Sequence, residues 1–122
     1  MPENGIVPRM NCAVDATMSV IEGRWKTVIL CKLYQNGPMR FNQLMKDIDG
    51  ISPRILTKQL KEMESDGIVK RTSYPEIPPK VEYSITEKGL SLGPILKAMA
   101  DWGLQNMFPN RVSFDEDVEI PE

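Results

Sequence analysis

Ser52-Pro53-Arg54-Ile55-Leu56-Thr57-Lys58-Gln59-Leu60-Lys61-Glu62-Met63-Glu64-Ser65-Asp66-Gly67 reads as one helix with both ends marked. A serine hydroxyl can accept a backbone N–H of the first turn, and proline is tolerated directly after it because that position has no intrahelical bond to lose. Gly67 suits the left-handed conformation that closes a helix. At about 100° per residue, Leu56, Leu60 and Met63 fall on one side while Arg54, Lys58 and Lys61 gather opposite. The apolar side is expected to pack inward and the cationic side to face out.

Just upstream, Phe41, Leu44, Met45 and Ile48 recur at spacings of three and four, which predicts a short helix over Phe41–Ile48. Asp49-Gly50 then turns the chain into the marked helix. Two short helices joined by a tight, glycine-containing turn make a helix-turn-helix. Downstream, Ile68–Ser73 and Val81–Ile85 predict two strands, the second with Val81, Tyr83 and Ile85 alternating against Glu82 and Ser84. The segment Tyr74–Lys80 joins them, so the whole reads as a winged helix, mainly α with a small β-hairpin wing.

Further out, helices are predicted over Ala13–Ile21, stopped at Gly23, and over Trp25–Gln35, where Trp25, Ile29 and Leu33 repeat before Asn36-Gly37-Pro38 ends the pattern. Thr86 can cap a last helix that reaches Met107 with a kink at Gly93-Pro94. The apolar residues of that helix, Leu92, Ile95, Leu96, Met99, Trp102, Leu104 and Met107, cover more than one narrow stripe. A helix of this kind needs a second packing partner, and in so small a chain a second subunit is expected to supply it.

The 122 residues suit one domain, with 41% hydrophobic and 26% charged side chains and no biased tract. An arm is expected over residues 1–11, the winged-helix domain over 12–107, and an acidic, flexible tail over 108–122. The tail sets Arg111 against Asp115, Glu116, Asp117, Glu119 and Glu122. Taking that one base and those five acids from totals of 15 and 17 leaves 14 and 12, so residues 1–107 carry a net charge of +2 although the whole chain carries −2. The part expected to fold is mildly basic.

Several function classes are disfavoured. No stretch approaches the roughly 20 apolar residues of a membrane span, and the opening MPENGIVPRM lacks the order of a secretory signal, so a cytoplasmic protein without membrane contact is expected. The chain has no histidine, and its two cysteines, Cys12 and Cys31, cannot close a four-ligand zinc site. No metal, no cofactor and no enzymatic activity are expected; a thiol enzyme would lack the base that activates its nucleophile.

A capped helix presenting cations along one outer face meets the physical requirement for entering the major groove of DNA. On an isolated helix such a face is more often simply solvated. Lys70 and Arg71 in the first strand and Lys80 at the end of the wing add cations that could neutralise flanking phosphates. Pro78-Pro79 stiffens the wing loop, though a rigid turn would look the same.

The ordered fragments Cys12-Ala13-Val14-Asp15-Ala16-Thr17, Ile21-Glu22-Gly23-Arg24-Trp25-Lys26, Ile29-Leu30, Arg40-Phe41-Asn42-Gln43-Leu44 and Gly50-Ile51-Ser52 resemble the HxlR family of bacterial regulators. So do Gly67-Ile68-Val69-Lys70-Arg71, Pro78-Pro79-Lys80-Val81-Glu82-Tyr83, Thr86-Glu87-Lys88-Gly89 and Trp102, which extends the resemblance from about Cys12 to Met107. The resemblance implies a dimeric winged helix-turn-helix related to the MarR group. It also implies that Ser52, Pro53, Arg54, Thr57 and Lys58 lie on the recognition helix, that Tyr74–Lys80 is the wing, and that the first and last helices form the dimer interface. Arg40, Asn42 and Gln43, with Lys61, Lys70, Arg71 and Lys80, complete the expected DNA-contacting set; Val14, Met18, Ile95, Met99 and Trp102 are the expected interface residues.

Many members of that family sense electrophiles or oxidants through an N-terminal cysteine in the position of Cys12, often followed by proline where this chain has Ala13. On its own terms, Cys12 lies near a helix N-terminus and Arg9, both of which favour a thiolate, while Asp15 opposes it. A small buried residue is the competing reading. Cys31, among Val28, Ile29, Leu30 and Leu33, is expected in the core. The expected function is a sequence-specific regulator, a repressor, that binds double-stranded operator DNA as a homodimer and answers to a small electrophile or other effector. The alternative is a winged-helix module for protein contacts without specific DNA binding, for which an acidic recognition helix would be expected; Arg54, Lys58 and Lys61 argue against it.

Overall fold

The computed structural model describes residues 12–107; the arm expected over 1–11 and the acidic tail expected over 108–122 lie outside them. In chain order the elements are α1 (Ala13–Ile21), α2 (Lys26–Asn36), α3 (Phe41–Asp47), α4 (Pro53–Ser65), β1 (Val69–Tyr74), β2 (Lys80–Ile85), α5 (Glu87–Leu90) and α6 (Gly93–Met107). Among the described residues no helix is long and apolar enough to cross a membrane.

The core is built from one face of each helix. Ile29, Leu30 and Leu33 of α2, Leu44 of α3 and Leu56, Leu60 and Met63 of α4 are buried, together with Ile21, Met39, Ile48, Ile51, Ile68 and Val69. The spacings in α2 and α4 are those of one helical face, so burying that face fixes the rotation of each helix and sends Arg54, Lys58 and Lys61 outward. Leu60→Ala would leave a cavity at a side chain now 1% exposed and should cost about 2–5 kcal/mol in a chemical-denaturation measurement.

The turn between α3 and α4 contains Gly50 at φ +86°, a conformation that L side chains rarely adopt. Ser52 caps α4 by accepting the Ile55 N–H at 3.2 Å, with Pro53 in the first turn. The hairpin is antiparallel, its register running from Val69 opposite Ile85 to Tyr74 opposite Lys80. The alternation expected in the second strand does not become an alternation of burial. All of β2 is half-buried, because a two-stranded ribbon has no further strand to cover it, and Met39 joins it only through a bridge to Tyr83.

The single kinked helix expected from Thr86 to Met107 is instead two helices. Thr86 does cap the first, accepting the Gly89 N–H at 3.1 Å, but α5 ends at Leu90 and Leu92 lies buried in the turn between them. Pro94 has no N–H to give to the carbonyl of Leu90, and it sits in the first turn of α6, where no such bond is required. Elsewhere the boundaries move by a residue or two. Trp25 precedes α2 and Ile48 follows α3, each as a cap residue rather than a helical one.

Three side chains tie α5 to the end of α4 and to α2. The Thr86 hydroxyl donates to the Gly67 carbonyl at 2.6 Å and the Lys88 ammonium to the Asp66 carbonyl at 2.8 Å. Gly89 lies against Ile68, and the Tyr34 hydroxyl of α2 donates to the Gly89 carbonyl at 2.7 Å. The base of the wing is thereby fixed to the helix that precedes it.

Candidate nucleic-acid interface

Arg54, Thr57, Lys58 and Lys61 are exposed on α4, the side opposite Leu56, Leu60 and Met63. Ser52 is half-buried, since its hydroxyl is committed to the cap, and Pro53 is exposed beside it. On α3, Arg40 and Asn42 are exposed, while the Gln43 side-chain oxygen accepts the Arg40 N–H at 2.8 Å and so serves the helix start as well. Lys70 and Arg71 are exposed on β1.

Lys80 is engaged rather than free. Its ammonium lies 3.5 Å from a Glu82 carboxylate oxygen and 5.0 Å from the centre of the Tyr74 ring, directly across the hairpin. The charge is held at the neck of the wing. Beyond it, the loop Pro75-Glu76-Ile77-Pro78-Pro79 contains no cation, and Ile77 is fully exposed.

One pair escaped the sequence reading. Lys26 is the one charged side chain among the buried described residues, and it reaches Glu62 of α4 at 2.9 Å. The hydrogen bond from Lys26 holds the Glu62 carboxyl below the usual carboxylate range; the charges of Lys26 and Lys58 add to this and burial opposes it. A signal was present: Lys26 stands three, four and seven residues before Ile29, Leu30 and Leu33, on the face that α2 buries.

Cys12 is exposed at the residue preceding α1, and its carbonyl accepts the Ala16 N–H at 3.2 Å. Cys31 is not in the core as expected. It is half-buried on the side of α2 that faces the α3–α4 turn, lining a groove of about 360 Å³ with Trp25, Val28 and Ile48, and burial pushes its thiol pKa up. Of the expected interface residues, Val14, Ile95, Met99 and Trp102 are exposed apolar side chains, whereas Met18 is half-buried against the core. Among the described residues there is no group of three or more metal-ligating side chains.

A capped helix with a cationic outer face, preceded by a glycine turn from a shorter helix and followed by an antiparallel hairpin, defines a winged helix-turn-helix of the DNA-binding, transcription-regulating class. The chain belongs to the HxlR-like helix-turn-helix family, whose pattern matches residues 20–111. The HTH-type transcriptional regulator BH0655 of Halalkalibacterium halodurans is 49% identical over 90 residues, covering 74% of this chain and 80% of that protein. The redox regulator HypR in its reduced form superposes with a TM-score of 0.71 at 44% identity, covering 78% of this chain and 93% of HypR, and HypR has also been solved oxidised. The reduced transcriptional regulator YodB of B. subtilis gives a TM-score of 0.72 at 34% identity, covering 83% of this chain and 98% of YodB, which has also been solved after diamide treatment. This protein is accordingly a transcriptional regulator of the helix-turn-helix type.

Proposed function

We propose that the protein is a repressor that acts in the cytoplasm, binding a palindromic operator as a homodimer with one winged helix per half-site. The observation that carries this reading is the outward face of α4, where Arg54, Lys58 and Lys61 stand exposed on a helix whose rotation is fixed by three buried residues. Arg54 and Thr57 address base edges near the helix start; Lys58, Lys61, Lys70 and Arg71 address phosphates, with Arg40 and Asn42 beside them. The unit responsible is residues 12–107, flanked by the arm and the acidic tail. The exposed Val14, Ile95, Met99 and Trp102 supply the apolar surface for the second subunit.

The regulatory part of the reading places the switch at Cys12. It is the exposed thiol of the two, while Cys31 is partly buried with its thiol held neutral, and the thiolate is the species that electrophiles and oxidants modify. The likeness to HypR and YodB supports a thiol-based response.

The test begins with selection of bound DNA from genomic fragments, followed by affinity measurements across a salt series. The expected dissociation constant is about 10⁻⁸ to 10⁻¹¹ M, rising steeply with salt because several phosphates are neutralised. Arg54→Ala should weaken binding by about 1–3 kcal/mol and relax base preference. Salt-independent binding, or unchanged affinity in Arg54→Ala, would refute the assignment. Diamide should release wild-type protein but not Cys12→Ser; equal responses of the two proteins would remove Cys12 from the mechanism.

A further inference from the structure

The first turn of α4 carries an aliphatic side chain that the core does not use. Ile55 is 36% exposed, whereas Leu56, Leu60 and Met63 of the same helix are at most 1% exposed. It belongs neither to the buried cluster nor to the half-buried apolar side chains packed against it. The exposed apolar residues assigned above to a second subunit, Val14, Ile95, Met99 and Trp102, lie on α1 and α6. Ile55 stands instead among the polar residues of the outer face. At about 100° per residue it lies about 60° round the helix from Lys58 and about 100° from Arg54, across that face from Thr57.

Two features hold the side chain ready for a contact. The Ile55 N–H donates to the Ser52 hydroxyl at 3.2 Å, so the cap that starts α4 also fixes the backbone of this residue. Branching at Cβ leaves isoleucine one strongly preferred χ1 rotamer in a helix. A group ordered in advance loses little further freedom when it is covered, and an exposed aliphatic surface gains where water is excluded.

Resting on the DNA-binding reading above, we propose that Ile55 reads one thymine in each half-site by packing on its C5-methyl group in the major groove. Thymine is the base that presents a methyl group on that edge. Cytosine in its place would bring the N4 amino donor beside a side chain with no acceptor, and that donor would lose its water without compensation. Arg54 and Lys58 recognise acceptors on bases and phosphates, and neither can tell thymine from a pyrimidine lacking the methyl group. Ile55 is thus a specificity-determining residue whose contact is apolar.

The experiment uses the full-length protein and the operator recovered by selection, with each thymine of the half-sites replaced in turn by deoxyuridine. That replacement keeps the pairing and the O4 acceptor and removes only the methyl group. At one thymine in each half-site it should weaken binding about fourfold, the effect of returning one methyl group to water. Ile55→Ala should bind the thymine operator more weakly by at least as much, with an unchanged salt slope and no remaining penalty for deoxyuridine at that position. Thr57→Ser, which loses only a methyl group on the other flank, should keep the full preference. The melting temperature of Ile55→Ala is the folding control, expected close to wild type because the side chain is exposed and alanine favours a helix. An operator in which no thymine methyl group matters, full discrimination in Ile55→Ala, or loss of discrimination in Thr57→Ser would overturn the proposal. If Arg54→Ala leaves affinity unchanged, the DNA-binding reading itself fails; if Arg54→Ala weakens binding while Ile55→Ala still discriminates, only the role of Ile55 falls.

Discussion

Gly89→Ala should lower the melting temperature by about 5–10 °C, although it places a good helix former in a helix. The added carbon would collide with the carbonyl oxygen of Ile68 and lie 2.7 Å from Ile85 Cγ2 and 3.2 Å from the Ile68 carbonyl carbon. Two of these atoms are backbone, and the Ile68 carbonyl already accepts the Thr86 N–H at 3.1 Å. Relief would require α5 to move off the wing base and to loosen the bonds from Thr86, Lys88 and Tyr34. Overpacking of this sort costs about 1–3 kcal/mol or more, against a gain of about 1 kcal/mol in helix propensity. Gly103 provides the contrast, since a carbon added there meets nothing within 4 Å in the same chain. Gly103→Ala should hold or raise the melting temperature. A Gly89→Ala protein as stable as wild type by calorimetry would show that the α5–wing contact is not close in solution.

The second large effect concerns the pair between α2 and the recognition helix. Glu62→Ala removes the carboxylate acceptor of Lys26, a residue 7% exposed in the intact protein, and should destabilise the fold by about 1 kcal/mol, since Glu62 itself is part-exposed and water can reach the ammonium once it is gone. Lys26→Met fills the same space with an apolar side chain beside Ile29, Leu30 and Leu33, so the fold should lose little. DNA binding should suffer instead. Glu62 is then released four residues after Lys58, where its carboxylate competes with phosphate for that lysine. The double variant Lys26→Met with Glu62→Gln should recover affinity, an outcome that a purely structural role for Lys26 would not produce.

The pair also sets a pH dependence. Glu62 has a folded-state pKa below its unfolded value, chiefly through the Lys26 hydrogen bond. Its contribution is therefore fully present above the ordinary carboxylate range, near pH 4.3, and is lost as pH falls through the lowered value. Acid unfolding of Lys26→Met should lack this component. Identical acid transitions in wild type and variant would exclude the assigned linkage.

The sequence by itself determined the elements whose causes are local. Ser52, Pro53 and Gly67 mark the ends of α4 because capping and glycine conformation act within a few residues, and the spacing of Leu56, Leu60 and Met63 fixes which face is buried. From that follows the outward placement of Arg54, Lys58 and Lys61, and with it most of the candidate interface. The hairpin and its loop were legible for the same reason, from alternation and from prolines.

Only the tertiary structure decided what depends on residues far apart in the chain. The break between α5 and α6 is where Leu92 finds the core, so the proline begins a second helix instead of bending the first. Lys26 and Glu62 are 36 positions apart, and no periodicity in α4 reveals that one of its carboxylates answers a buried ammonium. Lys80 reads in sequence as a cation at the end of the wing, and the partners that hold it there, Tyr74 on the opposite strand and Glu82 two residues along its own, are visible only in the fold. Local patterns record which way a side chain faces. What it meets there is fixed by packing between distant elements, where burial and charge pairing are settled together.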